Sequence, residues 1–152
     1  MSKKEKVVTN VIKLLIKAGQ AKPAPPVGPA LGQAGLNIMS FCKDFNAKTA
    51  NLKDNVPVPV TITAYSDKSF TYETKTPPAT YFIKKAMGME EGGGSQRPGH
   101  TEAGIISAKH LYEIALIKHQ DTVRTELEAS CRSLVGTCRS MGIRVVARPE
   151  DA

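Results

Sequence analysis

The sequence predicts an α+β protein of two small domains, a sheet-bearing first half and a compact three-helix second half. Three observations carry this reading. Val56, Val58, Val60, Ile62 and Ala64 alternate with polar residues or proline, the period of a half-buried strand. From Thr76-Pro77-Pro78 onward, apolar residues recur three and four apart, the period of amphipathic helices. A length of 152 residues is enough for one ordinary domain or two small ones. The boundaries expected are residues 1–74 for the first domain, 75–148 for the second, and 149–152 as a tail.

In the first half, Val7–Lys17 is rich in β-branched residues, and its alternating set Val8, Ile12, Leu14 and Ile16 is broken by Asn10. A strand is expected, although Ile12, Leu15 and Ile16 would also suit a helix. Between Lys22 and Gly35, seven of fourteen residues are Pro or Gly. Proline fixes φ and glycine permits close backbone approach, so the segment is stiff and shaped. It reads either as a connector between strand and helix or as a surface built to be touched. Asn37 is placed to cap a helix carrying Ile38, Phe41, Cys42 and Phe45 and ending near Lys48. Pro57 and Pro59 put the start of the next strand at an edge or outside the ladder. Ser66-Asp67-Lys68-Ser69 then turns the chain into Phe70, Tyr72 and Thr74, giving a hairpin.

In the second half, Thr76 is the expected N-cap of a helix with Pro77 at its first position and Gly88 just past its end. Met89–Gly104 reads as a long glycine-rich loop. Ser107 caps a second helix reaching about Gln120, with Ile106 and Leu111 as a hydrophobic staple and Leu111, Ile114, Ala115 and Ile117 turned inward. A third helix runs from about Thr125 to Met141 and stops at Gly142, before a short extended end with Ile143, Val145 and Val146.

Charge and motifs narrow the function. The formal charge is +7 and the pI about 9.4, which favours a polyanionic partner. Residues 1–75 carry a net +6 and residues 76–152 only +1, yet every arginine lies in the second half. Charge alone therefore leaves open which half grips. No apolar run approaches the roughly 20 residues of a membrane span. Cys42, Cys131 and Cys138 fit neither a disulfide framework nor a zinc spacing, so a reducing compartment and buried free thiols are expected. Met1-Ser2-Lys3-Lys4-Glu5-Lys6 is basic without the apolar core of a secretory signal or the long Arg/Ser pattern of a transit peptide. Gly92-Gly93-Gly94-Ser95-Gln96 lacks the Gly-Lys-Ser/Thr of a phosphate loop. His100, His110 and His119 have no metal spacing, and the last two read as helix-surface residues. Glu90-Glu91 is a solvated pair, and no Ser/His/Asp or Cys/His set is legible. No enzyme, cofactor, metal or small-molecule substrate is expected.

The third helix carries the candidate site. At about 100° per residue, Leu127, Cys131, Leu134, Cys138 and Met141 fall on one side, the expected core. Ala129, Ser133, Gly136, Thr137 and Ser140 form a second side of small residues, flanked by Arg132 and Arg139. Gly136 in a helix interior costs about 1 kcal/mol relative to Ala, so some contact should offset it. Close packing of another helix is one explanation. Close approach of a nucleic-acid backbone is the other, with hydroxyls reaching sugars and arginines reaching phosphates. A reader of duplex DNA would project long side chains here. The small side favours folded RNA, and a homeodomain-like DNA-binding regulator is the alternative.

Gly19-Gln20-Ala21 through Gly35, Asn37-Ile38 and Phe41-Cys42-Lys43-Asp44-Phe45-Asn46-Ala47-Lys48-Thr49 closely resemble the L-eleven family of large-subunit ribosomal proteins. The likeness continues through Lys75-Thr76-Pro77-Pro78, Ile83-Lys84-Lys85-Ala86, Tyr112-Glu113-Ile114-Ala115 and Gly136-Thr137-Cys138-Arg139-Ser140-Met141-Gly142-Ile143. It implies an N-terminal α/β domain and a C-terminal helical domain with a homeodomain-like core that binds the GTPase-associated region of large-subunit rRNA at the stalk base. The RNA-facing set it implies is Gly136, Thr137, Ser140, Met141 and Gly142, supported by Thr76, Pro77 and Pro78; Ser133, Arg132 and Arg139 join it from the helix pattern. Pro23, Pro25, Pro26, Pro29 and Gln33 become a mobile face toward translational GTPases. Pro23, Pro26 and Pro29 match positions where thiopeptide antibiotics wedge between protein and RNA. Neighbouring stalk proteins are further implied partners. In bacterial relatives the loop after the first C-terminal helix is usually basic, whereas here it reads Met89-Glu90-Glu91-Gly92-Gly93-Gly94. Ser107–Asp121 and Arg97-Pro98-Gly99-His100 look more like mitochondrial members, which points to a mitochondrial ribosome, with the bacterial cytoplasm as the alternative.

Overall fold

Strands β1 (Val8–Lys17), β2 (Pro57–Tyr65) and β3 (Phe70–Thr74) and helices α1 (Val27–Gln33) and α2 (Ile38–Lys48) build the first of two compact units, Met1–Lys75. The computed structural model describes residues 6–90, 93–122, 125–148 and 150. The sheet is antiparallel in the order β1-β2-β3, so Val8–Lys17 takes the strand reading and not the helical one. Pairing Ile12 with Ile62, Leu14 with Val60 and Ile16 with Val58 puts one apolar set on one face. Phe41, Cys42 and Phe45 of α2 complete that core, with Phe70 and Tyr72 packed against it. As expected, Asn37 caps α2, its side chain accepting from the Ser40 N–H at 3.2 Å.

Two features of this unit differ from a plain strand–connector–helix reading. The Pro/Gly segment contains α1, a helix hidden by its own composition. Pro29 sits in the first turn, where no intrahelical acceptor exists for an N–H, and Val27 and Leu31 are buried one turn apart. The second concerns Pro57 and Pro59, which do pair, with Lys17 and Leu15 of β1. The carbonyl of Pro59 accepts from the Lys75 N–H at 2.9 Å, so the missing amides of Pro59 and of Pro57 point away from β1. Because β3 pairs only with Val60–Ala64, the strand ladder on that side stops short of both prolines and asks no amide of them.

The second unit, Thr76–Ala152, contains α3 (Ala79–Ala86), β4 (Gly104–Ser107), α4 (Ala108–Lys118), a 3-10 turn (His119–Asp121), α5 (Leu127–Ser140) and β5 (Ile143–Val146). Its core is Ile83, Ile106, Leu111, Ile114, Ala115, Leu134, Cys138 and Ile143. Ser107 caps α4 and both staple residues, Ile106 and Leu111, are buried. Four expectations are corrected. Thr76 does not cap α3: residues before proline avoid the helical region, so two successive prolines delay the start to Ala79, with Pro78 at the cap. Ile117 is 42% exposed rather than inward. His119 is half-buried, with a buried Nδ1 that has no partner among the described residues. Gly104–Ser107, read as the end of a loop and a cap, is a strand, and it pairs in parallel with Ile143–Val146, the short extended end expected there.

Leu134 and Cys138 of α5 are buried as expected, while Leu127, Cys131 and Met141 are half-buried at the core border. All three cysteines are free thiols, and burial raises those of Cys42 and Cys138 above the ordinary range. Glu90 is exposed; Glu91, Gly92 and most of the expected tail lie outside the described residues. Among the described residues no helix is long and apolar enough to cross a membrane, and no cluster of His, Cys, Asp or Glu is placed to hold a metal.

Candidate nucleic-acid interface

Helix α5 forms because its apolar residues recur at the spacing that seats Leu134 and Cys138 on α3 and α4, and this fixes which side faces out. Ala129, Ser133, Gly136 and Ser140 are exposed and Thr137 half-buried, together with exposed Arg132 and Arg139. The small side is therefore a surface of this unit. Gly136 decides what kind of surface. A Cβ added to it would meet nothing within 4 Å among the described residues, so no neighbouring helix requires the missing side chain. Of the two explanations the sequence allowed for this glycine, internal close packing is removed.

The hydroxyls along the strip are already polarised. Thr137 Oγ1 donates to the Ser133 carbonyl at 3.1 Å, and Ser140 Oγ donates to the Thr137 carbonyl at 2.7 Å. With their protons turned inward, these oxygens present lone pairs outward and suit a donor such as a ribose 2′-OH. Arg132 is paired with Glu128 one turn earlier at 2.5 Å, both side chains mostly exposed. Such a surface pair is worth little and is readily exchanged for a phosphate. Arg139 is exposed and has no carboxylate partner among the described residues.

Two hollows flank the strip. One, of about 220 Å³, is lined by Ala79 at the start of α3 and by Ala129, Ser133 and Thr137, among others. The other, of about 570 Å³, is lined by Gly136, Arg139 and Arg144 together with Val135, Ile143 and Val145. The first brings Ala79, the residue after Pro78, beside the small side of α5.

Three of the residues implied by resemblance have clear tasks inside the protein. Thr76 donates its N–H and hydroxyl to Asp121, at 3.2 Å and 2.5 Å. Lys118 Nζ reaches Asp121 at 3.0 Å, Thr76 Oγ1 at 3.1 Å and the Pro77 carbonyl at 3.3 Å. This network, absent from the sequence reading although Lys118 and Asp121 are three apart, ties the Thr76–Pro78 corner to the end of α4. Gly142 has φ +72° and is covered where a Cβ would stand by Ser95 and the Thr101 carbonyl, so its glycine is required by the fold. Met141 closes α5 by backbone bonds, and its side chain packs at the core border.

Burial pushes the Asp121 carboxyl up, but the Thr76 hydroxyl, the Lys118 ammonium and the Thr76 amide outweigh it and hold the carboxyl below its usual range. A depressed carboxyl contributes stability that is present above its unfolded value and lost as pH falls through the folded one. Asp121→Asn should therefore lower the stability of the second unit by about 1–3 kcal/mol at neutral pH. It should also flatten the loss of melting temperature on acidification. Thermal unfolding followed from neutral pH into the carboxylate range measures both.

The first-unit set is separate. Pro23, Pro25, Pro26, Pro29 and Gln33 are exposed around α1, which Val27 and Leu31 anchor to the core, and the Pro25–Pro26 bond is cis. Comparison with protein-family models gives two matches that divide the chain similarly. Residues 12–70 match Ribosomal protein L11, N-terminal domain, and residues 75–145 match Ribosomal protein L11, RNA binding domain.

Proposed function

The chain belongs to the ribosomal protein L11 family, and we propose that α5 lays its small strip flush against the GTPase-associated region of large-subunit rRNA at the stalk base. Family membership makes it a structural, RNA-binding constituent of the large ribosomal subunit. The finer reading rests on one observation: Gly136 stands exposed in the middle of α5 with open space where its side chain would be. The helix bears the cost of that glycine without any internal return, and a closely approaching RNA backbone supplies one.

In this reading Ser133, Thr137 and Ser140 accept from ribose hydroxyls, Arg132 and Arg139 contact phosphates, and Thr76, Pro77 and Pro78 brace the adjoining corner. Met141 and Gly142 shape the end of the helix. The exposed prolines Pro23, Pro25, Pro26 and Pro29, with Gln33, face translational GTPases and neighbouring stalk proteins. The runs Ser107–Asp121 and Arg97–His100 favour a mitochondrial ribosome over a bacterial one.

Titrating the full-length protein against a folded GTPase-centre RNA, with and without Mg²⁺ and with duplex DNA as competitor, tests the assignment. Tight binding that needs the folded RNA and resists DNA supports it. Equal competition by DNA would instead favour the homeodomain-like regulator. In the same titration Arg139→Ala should weaken binding at every salt concentration and reduce the salt slope by about 0.7–0.9, the share of one phosphate contact.

A further inference from the structure

We infer that Arg144 is a further phosphate contact for the bound RNA, and that Glu102 competes for it and sets the affinity of this end of the surface. The inference rests on the reading of α5 as the RNA-facing helix. It starts from a hollow of about 260 Å³ at the end of α5, lined by His100, Glu102, Arg139, Gly142 and Arg144 among others. This is smaller than the roughly 300–1,000 Å³ of pockets that enclose a free small molecule. A single backbone phosphate with part of its sugar is the better match. Two arginines from different elements, α5 and β5, line the hollow, and a guanidinium is the group suited to a forked anion contact.

The loop that supplies Glu102 is fastened to the helix end. The Ser95 N–H donates to the Met141 carbonyl at 3.0 Å and the Ala103 N–H to the Gly142 carbonyl at 2.7 Å. Ser95 and Thr101 hydroxyls bond to each other at 2.7 Å. Glu102 is thus held beside β5, where it accepts from Arg144 Nε at 3.0 Å. Both side chains are about half exposed, at 51% and 48%, so the pair is weak enough to exchange. Only Nε of Arg144 is engaged among the described residues, which leaves its terminal nitrogens for a phosphate. Glu102 lines the same hollow, and its carboxylate repels that phosphate. Arg139 and Arg144 also line the hollow that contains Gly136, which makes one continuous surface from the strip to this site.

The test is a double-mutant cycle on the full chain, titrated with the folded GTPase-centre RNA across a salt series. Arg144→Ala should weaken binding about five- to tenfold and reduce the salt slope by about 0.7–0.9. Glu102→Gln should tighten binding roughly two- to fivefold, and most of that gain should disappear when Arg144 is replaced by alanine. Unchanged melting temperatures would show that both exposed substitutions leave the fold intact. An Arg144→Ala protein with wild-type affinity and slope overturns the inference, as does a Glu102→Gln gain that persists in full without Arg144. Gly136→Leu in the same series separates the two levels of reading. If it abolishes binding while the Arg144 and Glu102 variants do nothing, only this inference fails. If it too leaves binding intact, the reading of α5 fails and takes this inference with it.

Discussion

Replacing Gly136 with leucine should abolish rRNA binding while making the isolated fold more stable. The two effects have opposite signs because they arise on different sides of the same atom. Within the protein, the position is exposed, mid-helix, and free of neighbours within 4 Å of a new Cβ. Leucine is close to alanine in helix propensity, so the substitution removes a penalty of about 1 kcal/mol. For a unit of this size, that corresponds to a melting temperature a few degrees higher. Toward RNA, a branched side chain on a strip of glycine, serine and threonine holds two surfaces apart beyond the range of dispersion and of the Ser133, Thr137 and Ser140 hydroxyls. A loss of at least about 100-fold in affinity is expected, equivalent to about 2.7 kcal/mol. Gly136→Ala provides the graded control, with a similar gain in stability and a smaller loss of affinity. A Gly136→Leu protein that bound RNA normally would mean that the small side of α5 is not the gripping surface.

What the sequence disclosed and what it hid divide along the range of the interactions. Asn37 and Ser107 are legible as caps because the cap, the N–H it accepts from and the helix it starts lie within four residues. The alternation of Val58, Val60, Ile62 and Ala64 is legible because one buried face imposes it over a whole strand. By contrast, Thr76 has the right side chain for a cap, but its hydroxyl is taken by Asp121, 45 residues away, and the two prolines move the helix start. The β4–β5 pair has four residues per strand and joins distant segments, too short for a period to register. Helix α1 is masked by glycine and proline, and only the spacing of Val27 and Leu31 betrays it.

The candidate site follows the same rule. Helical periodicity alone separates the small side of α5 from its core side. Whether Gly136 served packing or contact stayed undecided in the sequence, because the answer depends on empty space. The hollow at the end of α5 was invisible for a related reason. Arg144 and Glu102 meet only because the 95–103 loop closes over Gly142.

Phe41→Ala should unfold the first unit at physiological temperature and leave RNA binding by the second nearly untouched. Phe41 is fully buried and touches three rings, Phe45, Phe70 and Tyr72, at centroid distances of 5.9, 6.1 and 5.4 Å. It joins α2 to β3 across the core, so its removal leaves a cavity that no one element can fill. Truncations of this kind cost about 3–5 kcal/mol. A unit of this size holds about 4–11 kcal/mol in total, from roughly 0.05–0.15 kcal/mol per residue. The loss is therefore a large part of its stability. The second unit draws on a different set of buried residues, and its core shares no member with the first. The expected record is an early unfolding transition for the first unit, a second transition near its wild-type temperature, and an RNA titration within about twofold of wild type, or roughly 0.4 kcal/mol. Leu134→Ala, which removes a buried residue from beneath the strip of α5, should do the reverse: the second transition falls, and RNA affinity falls with it. Should Phe41→Ala weaken RNA binding as much as Leu134→Ala does, the two cores would have to act as one cooperative structure, and the division of labour between them would be wrong.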